Sequence, residues 1–251
     1  MKLYKYIDFK NSYWSEPLIK KELYFSNVCE LRQPNDPEEF NHKWDSKSYF
    51  FNNQANQLKE TYQSIFSDAR ILCLSKLHSK TLWDEFCSSN NGICYEFKYE
   101  ESQKIKDLTA CSVSYSDNKE CNYPDYLIKS IEDTNIKNLL EKNIELSKTD
   151  LVVIYNWLTT KDAQNLAVNH IYYLVFTKLK CFIKENEYRF IHTVNPIDNN
   201  TPLLINSRFS FKQLGLTINR IYTSNYNKVK EVCNESQLKI SIPSFITCDE
   251  N

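Results

Sequence analysis

The stretch "CFIKENEYRF", residues 181–190, alternates charge with apolar bulk: Glu185, Glu187 and Arg189 stand at every second position, and Tyr188 and Phe190 alternate with them. A strand sends successive side chains to opposite faces, so this spacing predicts one face with two carboxylates and a guanidinium and another that packs rings. Two readings fit that geometry. It is the ordinary pattern of a half-buried sheet with its polar side in water, and it is also what the floor of an active site would look like.

Composition narrows the classes around it. The chain has 251 residues, 41% hydrophobic and 25% charged, enough apolar surface for a sizeable core. A formal net charge of -1 removes the global electrostatic case for a nucleic-acid coat protein or an anionic-membrane binder, although a local basic groove stays open. Glycine occurs only at Gly92 and Gly215, so neither a Walker loop nor a dinucleotide fingerprint exists. Any nucleotide must be held by side chains and by rings, which the 17 Tyr and 14 Phe supply. The nine cysteines form no Cys-x-x-Cys pair and stand mostly in apolar runs, and the four histidines (42, 78, 170, 192) are scattered. The reading is a reduced, cytoplasmic protein with no metal site and no membrane span. A Gly-x-Ser-x-Gly elbow is absent, and a Cys-His hydrolase has no local signature.

Periodicity and turn residues predict strands over 2–7, 22–26, 69–75, 90–99, 110–116, 180–193, 202–206 and 216–222, with "LKISI" near the C-terminus. Helices are expected to end near Lys21 and to cover 54–68, 79–87, 125–148 in one or two pieces, 164–178 and 226–235. Asn35 or Asp36 would cap a short helix after a proline-bracketed loop. The sum is a single-domain α+β fold spanning 1–251, a mostly antiparallel sheet with a helical insertion at about 125–178.

Short motifs occur in a telling order: "LYKY" (3–6), "LYFS" (23–26), "NDPEEF" (35–40), "LCLS" (72–75), "LWDEF" and "NGICYEF" (82–97), "SYSD" (114–117) and "ENEYR" (185–189). This order resembles a large bacterial family catalogued as domain of unknown function 2971, over most of residues 2–222. That family in turn looks like the ADP-ribosyltransferase superfamily, with its split sheet. There a first-strand Arg, His or Tyr contacts the cofactor, a second strand ending in Ser or Thr supports nicotinamide, and a later strand carries the catalytic Glu. The chain departs from that pattern in lacking a Ser-Thr-Ser triplet, in offering only Tyr4, Lys5 and Tyr6 on its first strand, and in its scarcity of glycine.

The resemblance implies an enzyme that uses NAD as co-substrate and transfers ADP-ribose. Glu187 would stabilise the ribose cation, Glu185 would orient or deprotonate the acceptor, and Arg189 would hold pyrophosphate or pair with a carboxylate. Lys5, Tyr6, Ser26, Ser75 and Trp83 complete the expected cofactor set. A base in RNA, or less readily in DNA, is the expected acceptor, since an unpaired base stacks on exposed rings without a basic overall charge. Superfamily members include toxins of anti-phage systems with an antitoxin or chaperone partner. Each residue also has a plainer reading: Ser26 and Ser75 as caps, Trp83 as core, Lys5 and Tyr6 as an ordinary strand, Glu96 facing solvent or pairing with a Lys, and His170 as a satisfied core histidine. The second function class is a non-catalytic partner-binding module of a defence system, with a structural Glu-x-Glu-x-Arg strand.

Overall fold

A computed structural model describes residues 1–31, 39–40, 43–87, 91–100, 108–119, 121–192, 207–235 and 245–246. Its strands are β1 (Lys2–Asp8), β2 (Glu22–Tyr24), β3 (Ser26–Asn27), β4 (Arg70–Ser75), β5 (Gly92–Tyr99), β6 (Leu108–Ser112), β7 (Ser114–Ser116), β8 (Thr177–Leu179), β9 (Glu187–His192), β10 (Arg208–Ser210), β11 (Leu216–Thr223) and β12 (Phe245–Ile246). Its helices are α1 (Glu16–Ile19), α2 (Val28–Leu31), α3 (Tyr49–Asn53), α4 (Asn56–Asp68), α5 (Lys80–Phe86), α6 (Tyr123–Ser130), α7 (Thr134–Glu141), α8 (Lys148–Leu158), α9 (Lys161–Phe176), α10 (Phe211–Leu214) and α11 (Tyr226–Glu235). The architecture is α+β with a mostly antiparallel sheet. The chain divides into two compact units, one of residues 1–27, 70–113 and 182–251, the other of 28–69 and 114–181. The predicted helical stretch at 125–178 falls in the second unit, which also takes in 28–69.

The first unit is built on a sheet in the order β12-β11-β5-β1-β4-β9-β6, with β3 also paired to β4. β1 lies against β5 over its whole length, Lys2↔Lys98 to Asp8↔Gly92. β4 lies against β9 from Arg70↔His192 to Ser75↔Glu187. The junction between these two runs is thin: β1 meets β4 at Tyr4↔Ser75, and β3 takes over the β4 partnership at Ile71 and Arg70. Between those points the Lys5 ammonium donates to the Cys73 carbonyl at 3.1 Å, so a side chain satisfies a main-chain acceptor that an uninterrupted ladder would have used.

One face of this sheet is apolar. Leu3, Ile7, Leu72, Leu74, Ile93, Tyr95, Phe97, Tyr188, Phe190 and Ile221 form its core with Trp14, Phe209, Phe211 and Val229 from the covering segments. Each such side chain contributes about 1.5–3 kcal/mol on burial. The Tyr95 hydroxyl donates to the Trp14 carbonyl at 2.7 Å, so that core contains no orphaned phenol there.

The second unit is helical and packs around His170, which is fully buried. The Tyr62 hydroxyl lies 2.7 Å from its Nδ1, Tyr62 stacks on Tyr123 at 4.3 Å between centroids, and Tyr126 lies 4.5 Å from the imidazole. The expected core histidine is therefore present. Glu39 and Lys178 form a buried ion pair at 3.4 Å, and β7 pairs in parallel with β8.

Three sequence expectations change. Residues 180–185 form a 3-10 helix instead of the start of a strand. The helix expected over 164–178 begins at Lys161, because Thr160 caps it through Ala163 N, and ends at Phe176, where the chain turns into β8. Helix α8 fills a stretch that periodicity left unassigned. The proposed caps Asn35 and Asp36, the strand at 202–206 and "LKISI" lie outside the described residues.

Both glycines are fixed by geometry. A Cβ on Gly92 would meet Cys87 Cβ and the Ile7 carbonyl oxygen at 2.7 Å, and Gly215 has φ 66° at the end of α10. Gly92→Ala is expected to cost about 1–3 kcal/mol through overpacking and Gly215→Ala about 1–2 kcal/mol through left-handed strain, both read as lowered urea midpoints at unchanged slope. A neutral Gly92→Ala contradicts the packing described.

Candidate functional site

Side chains of directly paired residues in a sheet share a face. The registers Arg220↔Glu96, Tyr4↔Glu96, Tyr4↔Ser75 and Ser75↔Glu187 therefore align Arg220, Glu96, Tyr4, Ser75 and Glu187 in one row across five strands, on the face opposite the apolar core. The next row of β9 holds Arg189, between Cys73 of β4 and Cys111 of β6. First strand, end of the second long strand and the Glu-bearing strand are thus immediate neighbours, and Tyr4, Ser75 and Glu187 converge.

Glu187 and Arg189 are both buried, 7% and 1% exposed, and Arg189 Nε donates to Glu187 Oε2. A water-facing strand does not have this arrangement. The carboxylate is held by a guanidinium two residues on, and removing either partner strips a buried charge of that pairing.

Glu185 is not a strand neighbour of Glu187. The 3-10 helix ends at Glu185, and Asn186, with φ 44°, turns the chain before β9 begins. The Glu185 side chain is buried and its carbonyl accepts from Ser75 Oγ at 2.8 Å. Asparagine is one of the few side chains that tolerate left-handed backbone, so the "ENE" triplet itself carried a signal for a break.

Ser75 is committed to the main chain. Its Oγ lies 2.9 Å from the Leu77 carbonyl and 2.8 Å from that of Glu185, and it accepts from Leu77 N at 3.0 Å. Lys76 N donates to the Asn186 carbonyl at 2.8 Å. Tyr6 anchors the same connection from β1, accepting from Ser79 N at 3.0 Å and lying 3.2 Å from the Leu77 carbonyl. Residues 76–79 thus form a strap tied to β1 on one side and to the start of β9 on the other.

The remaining expected residues are distributed differently. Lys5 alternates with Tyr4 and Tyr6, so its side chain leaves β1 on the other face, where Lys5 and Ile7 border a small cavity with Tyr13, Glu16, Leu23 and Tyr24. Burial lowers its amine below the usual lysine range, although Cys73 and Glu187 pull it back up. Ser26 pairs with Ile71, four residues along β4 from Ser75, or roughly 13 Å at strand rise, so it does not meet Glu187. Trp83 is 3% exposed and packs with Tyr4, Cys87, Cys94 and Tyr222.

Sequence reasoning read Glu96, in the other half of this face, as facing solvent or pairing with a Lys; the pairing is present, with Lys2, and the solvent exposure is not. Glu96 is 1% exposed; it accepts from Tyr222 Oη at 2.9 Å, from Lys2 at 3.1 Å and from Asn219. Burial pushes its carboxyl up, but the hydrogen bonds from Asn219, Lys2 and Tyr222 outweigh this and hold it below the usual carboxylate range. Burial, with the Glu96 charge second, pushes the Tyr4 phenol up to about 12. His78, on the strap, stacks on Tyr222 at 4.1 Å and lies 5.5 Å from Tyr4 and 6.1 Å from Tyr6 between centroids. Burial of its ring against these tyrosines lowers the imidazole below its usual value, with Glu96 opposing. The only trace in the sequence was the run of alternating tyrosines at 4 and 6, which marks a shared ring-lined face.

Comparison with protein-family models, with curated proteins and with solved structures finds no match. Among the described residues no group of three or more His, Cys, Asp or Glu is arranged to hold a metal ion, and no helix is long and apolar enough to cross a membrane.

Because the folded-state value of Glu96 is depressed, its stabilisation is present above the ordinary glutamate pKa of about 4.3 and is lost as pH falls through the folded value. Urea unfolding of Glu96→Gln should therefore show a deficit against the parent protein at pH 7 that shrinks as pH falls below about 4.3. An equal deficit above and below that pH contradicts a charge-dependent role.

Proposed function

We propose that this protein transfers ADP-ribose from NAD, with Glu187 as the catalytic carboxylate. The observation that supports this reading is the row Tyr4, Ser75, Glu187 on one face of three adjacent strands. A first-strand tyrosine, a strand-terminal serine (here on β4, not on the second strand) and a later-strand glutamate correspond to the three elements of the transferase pattern that the sequence resembles. A chance charge pattern on a wet strand gives no reason for Glu187 to be buried or for the first strand to lie two places away.

The chemistry follows from the residues. The bond between nicotinamide and the ribose C1″ breaks with its electron pair leaving on the nicotinamide nitrogen, and the ribose passes through an oxocarbenium-like state. A fixed carboxylate beside that carbon stabilises the positive charge without reorganising, and Arg189 holds the Glu187 carboxylate in place. The acceptor then bonds to C1″ and releases its proton, so products are ADP-ribosyl-acceptor, nicotinamide and a proton. Ser75 contributes by holding the strap and the Glu185 carbonyl, which sets where β9 begins. With no glycine-rich loop to cradle it, the dinucleotide must be gripped by side chains such as Tyr4.

The test supplies labelled NAD with RNA, DNA and protein to the parent protein and to Glu187→Gln, which keeps the volume and a hydrogen-bond acceptor beside Arg189. Label transfer should fall by about 100- to 1000-fold in the variant while it still folds and binds NAD, with a lowered melting temperature because the buried Arg189 loses its charged partner. Full activity in Glu187→Gln removes the assignment of Glu187. A parent protein that neither binds NAD nor transfers label removes the enzyme reading and favours the partner-binding module.

A further inference from the structure

The Lys5 amine takes part in no step of the transfer described above. It leaves β1 on the face opposite Glu187, where it borders the small cavity. Its one hydrogen bond, 3.1 Å long, goes to the Cys73 main-chain carbonyl, and it makes no ion pair with any described residue. A half-buried ammonium with no carboxylate partner is weakly compensated. Burial accordingly lowers this amine below the usual lysine range, with Cys73 and Glu187 opposing. In its neutral form the amine still donates one N–H to the Cys73 carbonyl, which leaves the nitrogen lone pair free. Desolvated lysines of this kind are nucleophiles toward carbonyl carbon.

The rest of the cavity selects the carbonyl compound. Its empty space, open solvent included, is about 230 Å³, below the roughly 300 Å³ at which pockets begin to take drug-sized ligands, so the occupant is small. Two carboxylates line it. Glu16 is fixed by Arg208 at 2.9 and 3.1 Å and by Lys20 at 3.0 Å, and the Glu22 carboxylate accepts no hydrogen bond from a described residue. The rings of Tyr13 and Tyr24 lie beside them, 5.2 Å apart between centroids. Carboxylates repel an anionic keto or aldehyde acid and accept hydrogen bonds from hydroxyl groups, while the rings cover C–H faces. We propose that Lys5 is a reactive amine that condenses with a small, uncharged hydroxyaldehyde seated in this cavity. The nitrogen bonds to the aldehyde carbon, both amine protons leave with the carbonyl oxygen as water, and an imine remains. Protonated from solvent, that imine again has an N–H for the Cys73 carbonyl. None of this rests on the NAD-dependent reading, because it uses the other face of β1.

The experiment treats the protein with glycolaldehyde, or with glyoxylate as an anionic aldehyde of equal carbon number, in the presence of cyanoborohydride, which reduces the imine to a stable secondary amine. Peptide mapping by mass spectrometry reads the rate at each lysine. With glycolaldehyde at pH 7, Lys5 should label several-fold faster than the exposed Lys10 and Lys47, and this lead should vanish in urea. With glyoxylate the lead should shrink, and Glu22→Gln should restore part of it without changing the rate at Lys10. Lys5 labelling no faster than Lys10 in the folded protein overturns the reactive amine, as does a lead that persists in urea. A lead as large with glyoxylate as with glycolaldehyde overturns the choice of an uncharged hydroxyaldehyde, as does a glyoxylate rate at Lys5 that Glu22→Gln leaves unchanged.

Discussion

The edge of β4 that faces β1 changes partner along its length, and the candidate site depends on that change. At Ser75 it pairs with Tyr4, at Ile71 and Arg70 it pairs with β3, and at Cys73 its carbonyl is satisfied by the Lys5 ammonium. A continuous ladder would have closed the sheet between β1 and β4. Here a lysine side chain supplies the missing donor, which avoids the cost of about 1–3 kcal/mol for an unpaired buried carbonyl while leaving the two halves joined at one backbone pair. That pair is also where Tyr4, Ser75 and Glu187 align, so the thinnest part of the sheet and the candidate chemistry coincide.

Two buried carboxylates flank this junction, and each is treated differently. Glu187 has a guanidinium on its own strand, a geometry that orients it firmly and that would be expensive to dismantle. Glu96 is spread over an amide, a phenol and a partly exposed lysine, which keeps it charged without a single dominant partner. Between them Tyr4 takes up the field of Glu96 and presents its ring to the strap. The face thus holds a carboxylate at each side and tyrosines in the middle, a set of donors, acceptors and rings suited to a sugar attached to heterocycles.

Much of this was legible before the structure. The buried strand at 70–75, the strand at 92–99 and the amphipathic helix at 56–68 follow from apolar period and length, and the core role of His170 follows from its apolar helix. Glu187 and Arg189 on one strand face also follow from period two. The period failed one residue earlier: Glu185 looks like a member of the same face, but Asn186 adopts a left-handed conformation and a 3-10 turn replaces the strand. Ser26 and Ser75 look equivalent, each ending an apolar strand, and register alone separates them by two rows. His78 and Glu96 could not be found by local pattern, because their partners, Tyr222 and Asn219, lie more than a hundred residues away in sequence and reach them only through the β5–β11 pairing.

The central claim is that the face shared by β1, the strap and β9 binds NAD. Hydrogen exchange of the parent protein with and without saturating NAD tests it most directly. The account predicts slowed exchange in peptides covering residues 2–8, 74–80 and 185–192 together, with the helical unit around His170 unchanged. Unchanged exchange in all three segments, or protection confined to segments elsewhere in the chain, would contradict it.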